Sequence, residues 1–169
     1  MTSDQKAVAI GASSGIIAMG ASLWLLYQLL PDPDATDLAG RIGYALTWDT
    51  LPALTFFFMV AAVGNARFKS EAIDPTLGKE NPTMVVDGRV ADNTLQQLIL
   101  FLVGTTALAA AVEGEAVKIV GAAAITFVIM RIAFWIGYRI KPVYRAFGFS
   151  STAYMNLGLL LAAIWIGFR

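Results

Sequence analysis

Residues 116–140 read AVKIVGAAAITFVIMRIAFWIGYRI. Charged residues occur near the two ends of this stretch, at Lys118 and Arg139, and only once within it, at Arg131. A helix needs roughly 20 apolar residues to cross the ~30 Å hydrocarbon core of a bilayer. The stretch is therefore predicted to be a transmembrane helix.

The rest of the chain repeats this pattern. Of its 169 residues, 57% are hydrophobic and 14% are charged, which is more apolar than a soluble domain of this length can bury. We predict an all-α integral membrane protein, a helical bundle of about five transmembrane helices in contact with membrane lipids. Helix A is too long for the apolar core of a signal peptide and no A-x-A cleavage pattern follows it, so we expect it to be retained. The predicted helices are A (Ala7–Leu30), B (Ile42–Phe68), C (Arg89–Val112), D (Ala116–Ile140) and E (Pro142–Phe168).

Composition excludes several classes of function. The chain has no cysteine and no histidine, so disulfides, thiolate metal sites and histidine-based nucleophile pairs are excluded, and no metal site is predicted. A net charge of zero argues against a nucleic-acid partner. Any chemistry must depend on Arg, Tyr, Asn, Gln or Asp side chains, or on a bound cofactor.

The charges between the predicted helices indicate an orientation. Acidic residues dominate the A–B and C–D connections, whereas most of the Lys and Arg residues lie at the amino terminus and in or beside the B–C and D–E connections. By the positive-inside rule, we expect the amino terminus in the cytoplasm and the carboxyl terminus outside. The residues on the cytoplasmic side are Lys6, Arg67, Lys69, Lys79, Arg89, Arg139, Lys141 and Arg145.

A small-residue segment, GASSG at residues 11–15, lies within helix A. It is similar to the glycine turn of dinucleotide-binding domains, but the third glycine and the alternating strands and helices are missing. Small residues four apart allow another helix to pack closely in lipid. We therefore expect Gly11 and Gly15 to form a helix-packing face, which a partner membrane protein could use.

Polar side chains form a stripe on each of two predicted membrane helices. Those of helix C recur at i, i+4, i+7 and i+8, which places them on one face. Polar groups at membrane depth are costly and often functional. The helix C residues are Arg89, Asn93, Gln96 and Gln97. On helix D, Arg131 and Tyr138 share one face with Phe134 at i, i+3 and i+7, and Arg139, Lys141, Tyr144 and Arg145 follow.

Two interpretations of these stripes stay open. Converging stripes would form a basic, hydrogen-bonding cleft for an anion near the cytoplasmic side. Alternatively, the amides of Asn93, Gln96 and Gln97 cross-link helices, Arg131 snorkels toward the interface, and the remaining basic residues only follow the positive-inside rule.

The order and spacing of these motifs resemble a known family. Arg89-x-x-x-Asn93-x-x-Gln96-Gln97 on one helix, then Arg131-x-x-Phe134-x-x-Gly137-Tyr138 and Arg145, is similar to the membrane-associated proteins in eicosanoid and glutathione metabolism (MAPEG). The resemblance implies a four-helix subunit that forms a homotrimer. Residues 42–169 would be this MAPEG-like domain, and residues 1–41 an extra transmembrane helix with an acidic loop. The expected location is a bacterial inner membrane.

The resemblance also implies a function. Glutathione would bind between subunits near the cytoplasmic face, and the protein would act as a glutathione transferase or peroxidase on lipophilic substrates. Arg145 matches the catalytic arginine that stabilises the thiolate, and a guanidinium beside a thiol lowers its pKa. The positions that would bind the cofactor are Arg67, Arg89, Asn93, Gln96, Gln97, Arg131 and Tyr138.

The chain departs from the family pattern at three of these positions. Gln96 stands where the enzymes usually have a glutamate, Gln97 where some have a tyrosine, and Phe134 where some have a tyrosine. The neutral Gln96 loses the charge that would pair with the amino group of glutathione. This loss favours a second hypothesis, a non-catalytic relative that binds a lipid or a partner membrane protein.

Overall fold

The chain folds into five long α-helices. A computed structural model describes residues 1–169. Each of the five helices is long and apolar enough to cross a membrane, with the spans of α4 and α5 including the short 3-10 turns that precede them. This confirms the predicted all-α membrane bundle. The helices are α1 (Ser3–Leu29), α2 (Leu38–Phe68), α3 (Pro82–Ala111), α4 (Lys118–Ile140) and α5 (Ala146–Gly167), and the turns before α4 and α5 are Gly114–Val117 and Pro142–Arg145.

The start of α3 differs most from its prediction. This helix begins at Pro82 rather than near Arg89. The Asn81 side chain accepts a hydrogen bond from the backbone N–H of Met84 at 2.9 Å, and proline occupies the first helical position. The sequence analysis predicted too late a start for this helix, because residues 82–88 are partly polar and do not belong to the apolar run of the membrane span.

Four helices form a closed bundle and the fifth lies outside it. α2 packs against α3 and α4, and α5 packs against the same two helices. α1 packs on the outside of α4 and α5. We call the end with the α2–α3 and α4–α5 connections the basic end, and the end with the α1–α2 and α3–α4 connections the acidic end.

The bundle interior combines aromatic rings with small residues. Phe101 of α3 and Phe127 of α4 are both fully buried, with ring centroids 4.7 Å apart. α5 approaches α4 closely at Gly148, where a Cβ would collide with the backbone of Met130 and of Phe134. Close backbone approach through small residues is the usual way in which helices gain packing energy in lipid.

Two polar contacts join α2 to α3 near the acidic end. The Arg41 guanidinium donates to the carbonyl of Ala109 at 3.2 Å, in the last turn of α3, where carbonyls lack helical partners. The buried Asp49 carboxyl group receives a hydrogen bond from the Thr105 hydroxyl at 3.0 Å. Both contacts satisfy groups that would be costly to leave unpaired at membrane depth.

α1 is attached to α5 by its small residues. The Ser151 hydroxyl donates to the carbonyl of Gly15 at 2.8 Å, and the Ser150 hydroxyl donates to the carbonyl of Ala12 at 3.1 Å. A Cβ at Gly15 would collide with the carbonyl of Phe147, so the backbones are in direct contact there. The predicted helix-packing face of α1 is thus used within the chain.

This packing corrects one prediction. Gly11 and Gly15 do not form a free face for a partner membrane protein, because Ala146, Phe147 and Ser151 of α5 already cover them. The spacing of the small residues predicted that this face packs against a helix, but it could not show whether that helix belongs to the same chain or to a partner protein.

We expect Gly15→Ala to loosen α1 and Gly20→Ala to have no such effect. The first substitution forces a methyl group against the α5 backbone, and overpacking typically costs about 1–3 kcal/mol. A methyl group at Gly20 would meet no atom within 4 Å, so alanine there should be neutral or stabilising, since it is the better helix former. Thermal unfolding of both variants in the same detergent measures the difference; equal melting temperatures would contradict this docking.

Candidate functional site

A fully buried arginine lies at the centre of the bundle. Arg131 of α4 has no exposed surface. Its Nε donates to the Thr94 hydroxyl of α3 at 3.1 Å, and its Nη1 donates to the Thr152 hydroxyl of α5 at 3.2 Å. The guanidinium carbon lies 4.0 Å from the centroid of the Phe134 ring, which gives the charge an aromatic face as neighbour. One side chain therefore connects three helices.

The network extends to α2 and to one predicted site residue. Nη2 of Arg131 donates to Asn93 Oδ1 at 3.0 Å and to the Thr94 hydroxyl at 2.7 Å. The Thr94 hydroxyl in turn contacts the sulfur of Met59 on α2 at 3.3 Å. No carboxylate of the chain pairs with Arg131. The guanidinium points into the bundle, so the expectation that it snorkels is wrong.

A second polar contact lies along the same side of α3. Asn156 of α5 donates through Nδ2 to the backbone carbonyl of Gln97 at 2.8 Å and to its Oε1 at 2.9 Å. Asn93 and Gln97 thus cross-link helices, as one of the two interpretations predicted. Gln96 does not, because its side chain is exposed and makes no hydrogen bond within the chain.

Three polar residues of α3 point outward. Arg89, Asp92 and Gln96 are exposed on one helical face, and none forms a hydrogen bond or ion pair within the chain. Asn93 is half-buried at the edge of this face, with its oxygen turned inward to Arg131. The predicted stripe therefore divides into an inward part that holds helices together and an outward part that is unpaired.

Tyr138 and Arg145 come together at the basic end. The Arg145 guanidinium carbon lies 5.2 Å from the centroid of the Tyr138 ring. Tyr138 is buried against Phe134, whereas Arg145 is exposed and has no carboxylate partner. Two residues that the sequence analysis predicted as site residues therefore place an aromatic ring beside an unpaired cation.

The turn between α4 and α5 explains this contact. The backbone N–H of Tyr144 donates to the carbonyl of Lys141 at 2.8 Å, which closes the turn. A Cβ at Gly137 would lie 2.8 Å from the carbonyl oxygen of Tyr144. Because Gly137 has no side chain, the turn can fold back onto α4 and bring Arg145 over Tyr138.

Arg67 lies apart from these groups. Its guanidinium pairs with Glu80 at 2.9 Å, and both side chains are partly buried. It makes no contact with Arg89, Tyr138 or Arg145 through a hydrogen bond or ion pair. Within the chain, this ion pair joins the end of α2 to the segment between α2 and α3.

Several residues of the network were missed by sequence reasoning. Thr152 and Asn156 lie four residues apart on α5, on the face that carries Gly148, inside a run that we treated as simply apolar. Their i, i+4 spacing was the available signal. Asp87 was also missed because it precedes the predicted start of α3; it accepts from the Trp135 indole at 2.7 Å and pairs with Arg139.

The arrangement separates two chemical roles. Each guanidinium nitrogen of Arg131 donates at least one hydrogen bond within the chain, so Arg131, which was predicted to bind the cofactor, lies inside the bundle and connects its helices. Arg89 and Arg145 keep exposed guanidinium groups that can bind an anion such as a carboxylate or a thiolate. No group of three or more Asp or Glu side chains is arranged to hold a metal ion.

We expect Thr152→Val to destabilise the bundle more than Thr47→Val. Both hydroxyls bond a backbone carbonyl four residues earlier, but only Thr152 also accepts a bond from another helix. Interhelical hydrogen bonds in membrane proteins contribute about 0.6 kcal/mol on average, up to about 1.7. The unfolding free energies of both variants are measured in mixed detergent. The loss caused by Thr152→Val should be smaller in an Arg131→Met background, where the interhelical bond is already absent. Equal losses of unfolding free energy for Thr152→Val and Thr47→Val would refute the interhelical bond.

Comparison with known proteins agrees with the fold and the motifs. No curated protein and no solved structure matches the chain. The model of one family, described as the MAPEG family, matches residues 45–165. This range runs from within α2 into α5, covers most of the chain, and contains both α3 and α4 with their polar residues. The chain therefore belongs to the MAPEG family.

Proposed function

We propose that this membrane protein binds glutathione, or a related anionic thiol, at its basic end and acts as a transferase or peroxidase on lipophilic substrates. The observation that carries the proposal is the unpaired Arg145 guanidinium against the Tyr138 ring, 5.2 Å from its centroid. An exposed cation without a carboxylate partner is available to an anionic ligand. The lipophilic substrate would arrive through the bilayer.

Arg145 would supply the activation step. A neighbouring guanidinium lowers the pKa of a thiol, and the thiolate is the reactive nucleophile. In a transfer reaction, its sulfur bonds to an electrophilic carbon while the leaving group departs with the bonding electrons. In peroxide reduction, the sulfur takes the distal oxygen as the O–O bond breaks, the alkoxide gains a proton, and a second thiol converts the sulfenic acid to a disulfide with release of water.

Other residues would orient the ligand. Arg89 suits a carboxylate of the tripeptide, because its guanidinium is exposed and unpaired. Asn93 Oδ1 is held by Arg131 at 3.0 Å, so the Nδ2 amide remains as a donor toward a ligand carbonyl. Arg131 would then act as a positioning residue through Asn93. Gln96 would contribute a neutral hydrogen bond.

Three copies of the chain would complete the site. The exposed Arg89, Asp92 and Gln96 lie on a membrane-spanning helix, and polar side chains in such helices normally face protein or a water-filled cavity. A homotrimer that covers this face would bring the α3 residues of one copy near another copy. The basic end would face the cytoplasm, consistent with its Lys and Arg residues and with a bacterial inner membrane.

A second candidate function has its own support. Asn93, Gln97 and Arg131, which were predicted to bind the cofactor, form hydrogen bonds within the chain, and Gln96 lacks the charge of a glutamate. These observations favour a non-catalytic MAPEG protein that binds a lipid or a partner membrane protein. Saturable glutathione binding to the folded protein, measured by calorimetry, separates the two: its absence favours the second candidate.

We expect the purified protein to convert glutathione to its thiolate at neutral pH and Arg145→Ala to lose this ability. A free thiol has a pKa of about 8.5, so the thiolate should appear at lower pH on the protein and disappear as the pH falls through the depressed value. Removing the guanidinium should shift that transition upward. The ultraviolet thiolate absorption, recorded as a pH titration, measures it.

Lys69→Ala is the matched control for this experiment. Lys69 is another exposed cation at the basic end and has no ion-pair partner, so its removal changes local charge equally. The control should keep the wild-type titration. Loss of the signal in both variants would indicate only general electrostatic attraction, and its absence from the folded wild-type protein would remove the thiol proposal.

We also expect a particle of three chains in mild detergent. Gln96→Trp places a bulky group on the exposed face of α3 and should reduce the trimer fraction. Ile17→Trp is a control on the outer face of α1, where the side chain is 72% exposed. Mass measurement of the detergent-solubilised protein reports the stoichiometry; a monomeric wild-type protein would contradict the assembly.

A further inference from the structure

A groove on the outside of the bundle has no role in the proposed thiol chemistry. It lies between α2 and α4, has a volume of about 420 Å³, and is mostly apolar. This volume falls within the range of about 300–1,000 Å³ that is typical of small-molecule sites. The groove extends from the middle of the bundle to the basic end. Its lining residues are Thr55, Phe58, Ile132, Trp135, Ile136 and Arg139.

The groove ends at a guanidinium that is held in a fixed orientation. Arg139 donates through Nε to Asp87 Oδ1 at 2.8 Å and through Nη2 to Asp87 Oδ2 at 2.5 Å. Asp87 is itself fixed by the Trp135 indole at 2.7 Å, and its side chain is only 3% exposed. The Arg139 side chain is 46% exposed, and its Nη1 has no partner in the chain. Asp87 therefore holds the arginine from the inside and leaves its outer edge free.

Arg139 also borders a second, smaller recess. This recess has a volume of about 140 Å³ and lies at the start of α3, next to the α4–α5 turn. Its lining includes Thr83, Tyr138, Pro142 and Arg139. An apolar groove and a more polar recess thus meet at one guanidinium. A molecule that fits both has a long apolar chain attached to a compact anionic group.

We infer that this surface binds one anionic phospholipid from the bilayer leaflet at the basic end. One acyl chain lies in the groove between α2 and α4, and the phosphate group contacts Arg139 Nη1. Basic pockets between transmembrane helices are known to bind anionic lipid head groups, and tryptophan is typical of the membrane interface where such head groups lie. The site uses neither Arg89 nor Arg145, and it shares with the proposed thiol site only Tyr138, which lines the recess.

Lipid retention by the purified full-length protein tests this inference. The protein is exchanged into detergent with equal amounts of phosphatidylglycerol and phosphatidylcholine, and bound lipid per chain is measured by mass spectrometry. We expect about one phosphatidylglycerol per chain, with little phosphatidylcholine. Arg139→Gln should weaken phosphatidylglycerol binding about fivefold, because one basic residue near the membrane surface contributes about 1 kcal/mol.

Two further variants keep the test decisive. Arg139→Gln leaves the buried Asp87 unpaired and can lower stability, so Ile136→Trp is used to fill the groove while the Asp87–Arg139 pair stays intact. It should also lose the lipid. Lys69→Gln removes a charge at the same end outside the groove and should retain it. Equal retention of the two lipids, unchanged binding in Ile136→Trp, or a groove protected by a second copy of the chain would overturn the inference.

Discussion

A guanidinium inside a lipid-embedded bundle has no water to bind, so its hydrogen-bond acceptors must come from the protein. Arg131 meets this requirement with Thr94 and Asn93 of α3 and Thr152 of α5, and Thr94 also contacts Met59 of α2. A shift of α3 or α5 would remove acceptors from this buried charge. An unpaired buried polar group is costly, and a buried charge is more so. The positions of α3 and α5 relative to α4 therefore depend on this side chain, and α2 is connected to it through Thr94.

The same requirement separates the polar groups that are paired inside the bundle from those that stay unpaired at its edge. Polar side chains that point into the bundle, such as Gln97 and Asn156, are paired with one another. Those at its edge, such as Arg89 and Arg145, keep free hydrogen-bonding capacity. Asn93 lies between the two sets, with its oxygen engaged inside. A rigid interior thus supports side chains at the surface whose partners must come from outside the chain.

Sequence reasoning reached the fold but only part of the site. Membrane spans were predictable because crossing a bilayer needs a long apolar run, and the choice of Tyr138 and Arg145 led to two residues that do meet in the structure. Helical spacing also showed that Arg89, Asn93 and Gln96 share a face. It could not show which way this face points, because the orientation depends on contacts with other helices. Thr152 was overlooked for the same reason: its importance comes from Arg131, which lies 21 positions away in the chain.

The contact between α1 and α5 has a consequence for biosynthesis. The Ser151 hydroxyl and the Gly15 carbonyl that it binds are separated by 136 positions, so α1 is made first and its binding surface last. Until α5 has been inserted, the small residues of α1 lack the helix that covers them, although α1 can already contact α4 through Ser22 and Thr126. Helices that insert independently and associate later can tolerate this delay. Closure of the subunit is therefore one of the final steps of its synthesis, and a chain interrupted before α5 would leave the small-residue face of its first helix uncovered.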